Sequence, residues 1–378
     1  MKLLRYLTIT LCLIAIVNLT SCSGTKTIDS IAYTELGIPT SERYSEGVTA
    51  RSPWDMAINE NKLYIGSGDY DTNAGPVDMW CYDIDKKTWS NSGTIPEEEI
   101  DRFCVIDNKL VVPGIDPQED WSLGNYYVLD GNQWIKKRNI EGGLHTFDIV
   151  EFDGMLFAGL GVLKGSYPVV CSKDNGETFE NVIFYKDGEK LDTTGSQNVR
   201  VYDLFVFKDK LYAVFMYGDS EITYDLYRYE NGMFVYDNQW YGKVSQIKLT
   251  NNIITGKTQF KDNMYFTTGY LHTTEDMTNL TYIIFPDEQV VYDICTDEKY
   301  LYALCANKQE DGKYKVSVYR NDGQMITNFH EIFNFVYDVP PLSIVCKDNN
   351  FYIGMGDTNN IHDKNGMILF VEYAKNGE

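Results

Sequence analysis

An internal repeat constrains this chain more than any other feature of its sequence. Its core is an apolar run, a polar turn containing Asp or Asn, then a large apolar residue usually followed by an aromatic. Ile58-Asn59-Glu60-Asn61-Lys62-Leu63-Tyr64 is the first copy and Cys346-Lys347-Asp348-Asn349-Asn350-Phe351-Tyr352 the last. Seven anchor residues mark the series: Leu63, Leu110, Leu156, Leu211, Met264, Leu301 and Phe351. Each copy predicts two short strands joined by a tight hairpin turn. A weaker strand–turn–strand signal recurs between anchors, at 83–89, 130–134, 230–234 and 321–325. Four strands per about 48 residues, seven times over, is the arithmetic of a β-propeller.

No helical periodicity survives beyond the first 20 or so residues, by the period-3.6 test. Strand runs are alternating or wholly apolar, as in Leu204-Phe205-Val206-Phe207, which suits stacked sheets buried on both faces. The expectation is an all-β fold, a seven-bladed β-propeller over residues 46–378, preceded by a leader. The last copy runs out after its third strand, near Met367 to Tyr373. A segment around Ser30 to Leu36 is expected to supply the missing strand and close the ring.

The run Ser172-Lys173-Asp174-Asn175-Gly176-Glu177-Thr178-Phe179 matches the Asp-box, a Ser/Thr-x-Asp-x-Gly-x-Thr-aromatic hairpin turn. With the seven anchors, it makes nearly the whole chain beyond the leader resemble propeller lipoproteins of the kelch and Asp-box kind. The resemblance bears on architecture and not on chemistry, since Asp-boxes sit at structural turns. Sialidases carry such boxes too, but their Phe/Tyr-Arg-Ile-Pro start is missing, as no Arg-Ile-Pro occurs here. Fold does not imply function.

Lys2 and Arg5 precede an apolar stretch from Leu7 to Val17, and small residues then lead to a single cysteine in Leu19-Thr20-Ser21-Cys22. A basic start, a short apolar middle and a small-residue cleavage site make an export signal. The apolar stretch is too short to span a bilayer, which needs about 18 to 20 residues. The cysteine makes the segment similar to the lipobox of bacterial lipoproteins. That resemblance implies a signal peptide over 1–21, a lipidated Cys22, and a tether with the closing strand over 22–45. It also implies a cell-envelope location, held to the membrane through the lipid alone. Several acyl chains anchor far more firmly than one, at about 0.8 kcal/mol per buried CH₂.

The formal net charge is −22, from 33 Lys and Arg against 55 Asp and Glu, and loss of Lys2 and Arg5 makes it more negative. That balance argues against nucleic acid, whose binding rests on Lys and Arg neutralising phosphates. A monomer with a glycan or protein ligand is expected. Aromatics make up 14% of the chain, which excludes a disordered acidic tail. Six cysteines follow Cys22, all in apolar strand-like runs and none in a CxxC pair. They read as buried thiols acting as small hydrophobes. A bridge between Cys295 and Cys305 across one hairpin is the alternative.

Chemistry is expected where loops opening the inner strands and loops leaving the second strands gather around the channel. Those second-strand loops are placed at 66–76, 113–125, 217–224, 269–279 and 354–366. Asp55, Asp148, Asp203 and Asp293 each stand eight residues before an anchor. Two readings compete: bonding the backbone of a neighbouring blade, or a ring of carboxylates at the channel mouth. Trp54, Asp55, Asp69, Asp71, Asp116 and Trp121 are the candidate ligand-binding residues, because aromatic faces and carboxylates together hold neutral sugars. Asp69, Asp71 and Asn73, alternating ahead of Gly75, resemble the start of a calcium loop. The alternative function is a carbohydrate-active enzyme, a hydrolase or a lyase. There His145 would be the proton acceptor, with Arg102 and Arg200 holding a carboxylate.

Overall fold

The computed structural model describes residues 30–45, 48–162, 165–193, 199–217, 223–239, 254–297, 299–358 and 360–373. The export signal, Cys22 and the tether behind it lie outside the described residues, as does part of the 217–224 loop. The chain is a β-propeller of almost wholly antiparallel strands, with two short 3-10 turns among the described residues, at Val48–Arg51 and Pro286–Glu288.

Five sheets have four strands each, and one has ten. The first sheet runs through Met56–Asn59, Lys62–Ile65, Val77–Asp83 and Thr88–Ile95. The second runs through Cys104–Ile106, Lys109–Pro113, Leu123–Asp130 and Gln133–Glu141. The ten-stranded sheet holds two antiparallel meanders, Gly143–Phe152 through Glu180–Asn181 and Arg200–Phe207 through Met233–Gln239. They are joined by a single pairing, Gly161 with Arg200, and a hairpin, Ile183–Lys186 with Glu189–Lys190, extends the far edge of the second. The hairpin lies parallel to Met233–Gln239. The Gly161–Arg200 pairing fuses what the repeat predicted as separate sheets. Two further four-stranded sheets span Lys257–Ile283 and Val290–Tyr337. In the last sheet, Thr34–Gly37 pairs antiparallel with Met367–Glu372, outside Asn350–Met355 and Pro341–Lys347.

The anchors behave as buried second-strand residues: Leu63, Leu211, Leu301 and Phe351 are wholly buried, and Leu110, Leu156 and Met264 nearly so. The turns before them are tight. Asp107-Asn108, Lys208-Asp209 and Asp348-Asn349 have positive φ at both residues, as do Asp153 and Gly154. Such mirror-image turns match the right-handed twist of the strands they join. The core lies between sheets. One apolar cluster joins Ile149, Phe157, Phe184 and Phe215, and another joins Val318, Phe335, Ile353 and Leu369.

The Ser172–Phe179 turn is locked by its own side chains. The Ser172 hydroxyl donates to Asp174 Oδ1 at 2.7 Å, and the Thr178 amide donates to the same oxygen at 2.9 Å. With the Thr178 hydroxyl on Oδ2 as well, the Asp174 carboxyl is drawn down to about 2. The 269–279 segment corrects an expectation. Leu271–Thr274 is a third strand, and 275–280 is the turn beyond it, held by Asp276 accepting amides from Thr278 and Asn279. The short Thr268–Tyr270 connection fell below what spacing alone could resolve.

Candidate functional site

The aspartates eight residues before the anchors join neighbouring sheets. Asp55 Oδ1 accepts the Met56 amide and Oδ2 the Phe103 amide of the next sheet, both at 2.7 Å. Asp148 does the same with Ile149 at 3.0 Å and Leu204 at 2.8 Å. Asp293 accepts from Ile294 at 2.8 Å and Ile344 at 2.9 Å. Each donor in the next sheet stands seven residues before that sheet's anchor. The periodicity therefore answers a repeated packing problem, satisfying inner-strand amides that no fifth strand reaches. Withdrawal from water pushes the Asp55 carboxyl up to about 6.

Asp203 has a different task. At the equivalent position of the second sheet stands Arg102, which crosses the channel. Its Nη1 lies 3.0 Å from Asp148 and its Nη2 2.8 Å from Asp203. The same guanidinium donates to the carbonyls of Tyr202 and Ile254. Lys257 contacts Asp148 as well and lies 3.1 Å from Asp203. Burial opposes charge on Asp148, but Lys257 and Arg102 outweigh it and hold that carboxyl below its usual range. Arg102 is thus committed to an internal ion network and is not available to hold a ligand carboxylate. A cavity of about 420 Å³ runs along the inner strands around it, lined by Asp55, Cys104, Lys257 and Cys295 among others.

A second cavity, of about 230 Å³, opens where the inner strands begin. Its walls come from four successive meanders: Tyr70 from the first, Asp101, Ile115 and Asp116 from the second, His145 and Phe147 from the third, and Arg200 and Tyr202 from the fourth. A backbone device aims the aromatics. In four inner strands the register shifts by one residue, leaving Phe147, Tyr202, Tyr292 and Leu342 as extra residues. Each immediately precedes the residue that faces the neighbouring sheet. A bulge of this kind re-aims a side chain, so Phe147 and Tyr202 face the cavity while Asp148 and Asp203 serve the ring below.

The aromatic wall is continuous. Phe147 and Tyr202 lie with centroids 4.4 Å apart, and His145 stacks on Phe147 at 5.5 Å. Arg200 sits over the Phe147 ring at 5.7 Å, with Nη1 3.5 Å from the Tyr202 hydroxyl. His145 donates from Nδ1 to the Ile115 carbonyl. Burial, with Arg200 nearby, brings the imidazole down to about 4 despite that bond, so it is neutral at pH 7. Burial and the adjacent Glu98 push Asp116 up to about 6, against the pull of Arg200.

The structure brings three candidate residues together in this cavity: Asp116, His145 and Arg200. It leaves the others elsewhere. Trp54 Nε1 is spent on the Gly68 carbonyl at 2.7 Å. Asp55 lines the inner channel, and Trp121 is 55% exposed outside the cavity. Asp69 is buried, its Oδ2 accepting the Thr49 hydroxyl at 2.7 Å and its Oδ1 the Asp71 amide at 3.0 Å. Those bonds close a turn rather than open a cation cradle, while Asp71 and Asn73 point to solvent. Among the described residues, no group of three or more His, Cys, Asp or Glu is arranged to hold a metal. Cys295 pairs with Tyr302 and Cys305 with Val291, so those two cysteines are not opposite each other. Sequence reasoning missed Tyr70, Phe147 and Tyr202 as cavity residues. The signal was an aromatic directly before the recurring Asp, legible only once the bulge is known.

No family profile matches the sequence, and no curated protein matches it. Among solved structures, the chain is similar to one in "Crystal Structure of Mitotic Checkpoint Complex", with a TM-score of 0.54 and 8% identity, covering 99% of each chain. It also aligns with Sqt1 of Saccharomyces cerevisiae, at a TM-score of 0.44 and 12% identity over 91% of this chain and 99% of that one. BamB from Moraxella catarrhalis aligns at a TM-score of 0.42 and 12% identity, covering 84% and 82%. At such identities the first likeness speaks to the fold alone, and the other two carry no argument.

Proposed function

We propose that this chain is the ligand-binding domain of a lipid-anchored envelope lipoprotein, a monomer that holds a glycan in the cavity between Tyr70 and Arg200. The ring is read as seven blades, the ten-stranded sheet counting as two, in keeping with the Asp-box kind of propeller. One observation carries the ligand reading: an aromatic wall of Phe147 and Tyr202 stands beside Asp101, Asp116 and Arg200 in a cavity of about 230 Å³. Few convergent polar groups over an apolar floor are the usual makeup of a small-molecule site. A sugar ring stacks on the aromatics, its hydroxyls donate to the carboxylates, and Arg200 donates back. Binding is favoured over turnover because His145 is a weak base, neutral and tied to Ile115.

A soluble version beginning at Thr25, screened over an oligosaccharide panel, tests this. Tyr202→Ala is expected to remove most affinity, since aromatic anchors commonly contribute about 2 kcal/mol or more. Product release from any sugar, lost on His145→Ala, would establish an enzyme instead. Silence on the whole panel would refute the glycan and leave a protein ligand. The anchor is tested separately: Cys22→Ser should release the full chain from the membrane fraction, and unchanged retention would refute it.

A further inference from the structure

Cys295 and Cys346 belong to the inner strands of two adjacent sheets, Val290–Thr296 and Pro341–Lys347. The bond from the Ile344 amide to Asp293 sets the register between those strands. Two residues further along each strand come Cys295 and Cys346. Both pack on the same apolar cluster between the two sheets, and Tyr302 lies close to both. The two side chains are near enough to influence each other's charge, and both are free thiols. Neither is fully buried, and Cys295 and the neighbouring Val345 line the inner channel, which gives a small oxidant a route to the pair. Of the six cysteines described, these two face each other across a seam between sheets.

We propose that Cys295 and Cys346 are a redox pair that closes into a disulfide, stapling the Val290–Tyr337 sheet to the sheet that contains both ends of the described chain. The Cys346 thiolate attacks one sulfur of a low-molecular-weight disulfide, whose S–S bond breaks and releases one thiolate. Cys295 then loses its proton to solvent and attacks the Cys346 sulfur, expelling the second thiol. The two cysteines give up two electrons and two protons, and the oxidant is reduced to two thiols. The bridge closes a loop of about 50 residues, a length at which cross-linking restricts the unfolded chain appreciably. It also guards the seam next to the one joint that depends on Thr34–Gly37 meeting Met367–Glu372. The inference is independent of the ligand.

The experiment is oxidation of the full folded chain with oxidised glutathione, followed by alkylation of remaining thiols and peptide mapping. The expected result is loss of two alkylatable thiols and one cross-linked peptide pair containing Cys295 and Cys346. A rise in the thermal midpoint of about 5 °C should follow, reversed by reductant and missing in Cys346→Ser. Mapping on the unsubstituted chain needs no variant to fold. Both thiols remaining alkylatable, a stable glutathione adduct on Cys346 alone, or a bridge to a different cysteine would each overturn the proposal.

Discussion

Arg102 Nη2 lies 2.8 Å from Asp203 Oδ1, across the channel, with both side chains almost fully removed from solvent. The two residues come from meanders that are not consecutive, with the Gly143–Asn181 meander between them, so this contact braces the ring from within. Asp148 and Lys257 complete the brace. Removing one member of a buried ion network leaves its partners charged in a poor solvent, which commonly costs about 3–5 kcal/mol.

Arg102→Met keeps most of the volume and removes the charge. Denaturant unfolding should show a loss on the order of 3 kcal/mol, with part recovered in the double variant Arg102→Met, Asp203→Asn. A loss below about 1 kcal/mol would mean that Lys257 alone neutralises both carboxylates.

Glu97 supplies a pH signature. It is wholly buried, with Oε1 accepting from Asn125 and Tyr127 at 2.8 Å each, and burial pushes its carboxyl up to about 7. The folded state then holds this proton more tightly than the unfolded chain does. Its contribution is fully present below the unfolded value of 4.5 and is lost as pH rises toward 7. Glu97→Gln keeps the acceptor and removes the charge. It should be nearly neutral at pH 4.5 and stabilising at pH 8 by about 3 kcal/mol, since the rise from 4.5 to about 7 is about 2.5 pKa units and one unit is about 1.4 kcal/mol. Parallel stability curves for the two proteins would show that Glu97 does not titrate in this range.

Gly176 tests the locked turn. Its φ is 83°, and an added Cβ would fall 2.2 Å from the Tyr126 hydroxyl, which donates to the Gly176 carbonyl. Gly176→Ala should cost about 2 kcal/mol through strain and displacement of Tyr126. Gly154 has a similar φ but open space around it, so Gly154→Ala should cost about 1 kcal/mol or less and serves as the control.

Ligand binding should also follow pH. Asp116, raised to about 6, accepts hydroxyls best as a carboxylate, whereas His145 at about 4 stays neutral throughout. Affinity for a cavity-bound sugar should fall as pH drops from 7 to 5, and Asp116→Asn should flatten the profile. A profile unchanged by Asp116→Asn would remove that carboxylate from the site. Trp121→Ala should leave affinity within about twofold, since exposed rim residues contribute little.

The repeat made the all-β propeller legible, because hairpin turns with their Asp and Asn residues and the buried residue after each are local. An inner-strand amide that no fifth strand reaches needs a partner wherever the strand sits, so a recurring aspartate also shows in one dimension. Asp116, His145 and Arg200 could be named as polar residues on loops opening toward the channel, but nothing in the chain said that they share a cavity. Trp121 and Trp54 look alike in sequence, yet one is exposed and the other spends its indole N–H on Gly68.

What the sequence by itself determined is therefore whatever a short segment decides alone: strand, turn, and the position of each buried anchor. Tertiary structure decided the rest. Arg102 occupies a ring position that four other repeats give to aspartate, and its partners are 46 and 101 residues away. Phe147 and Tyr202 reach the cavity only because one-residue bulges turn them out of alternation. Whether Asp69 holds a cation or a turn depended on Thr49, 20 residues earlier. Local propensity and periodicity act over a few residues, while charge pairing and cavity walls are set by groups that become neighbours only when the ring closes.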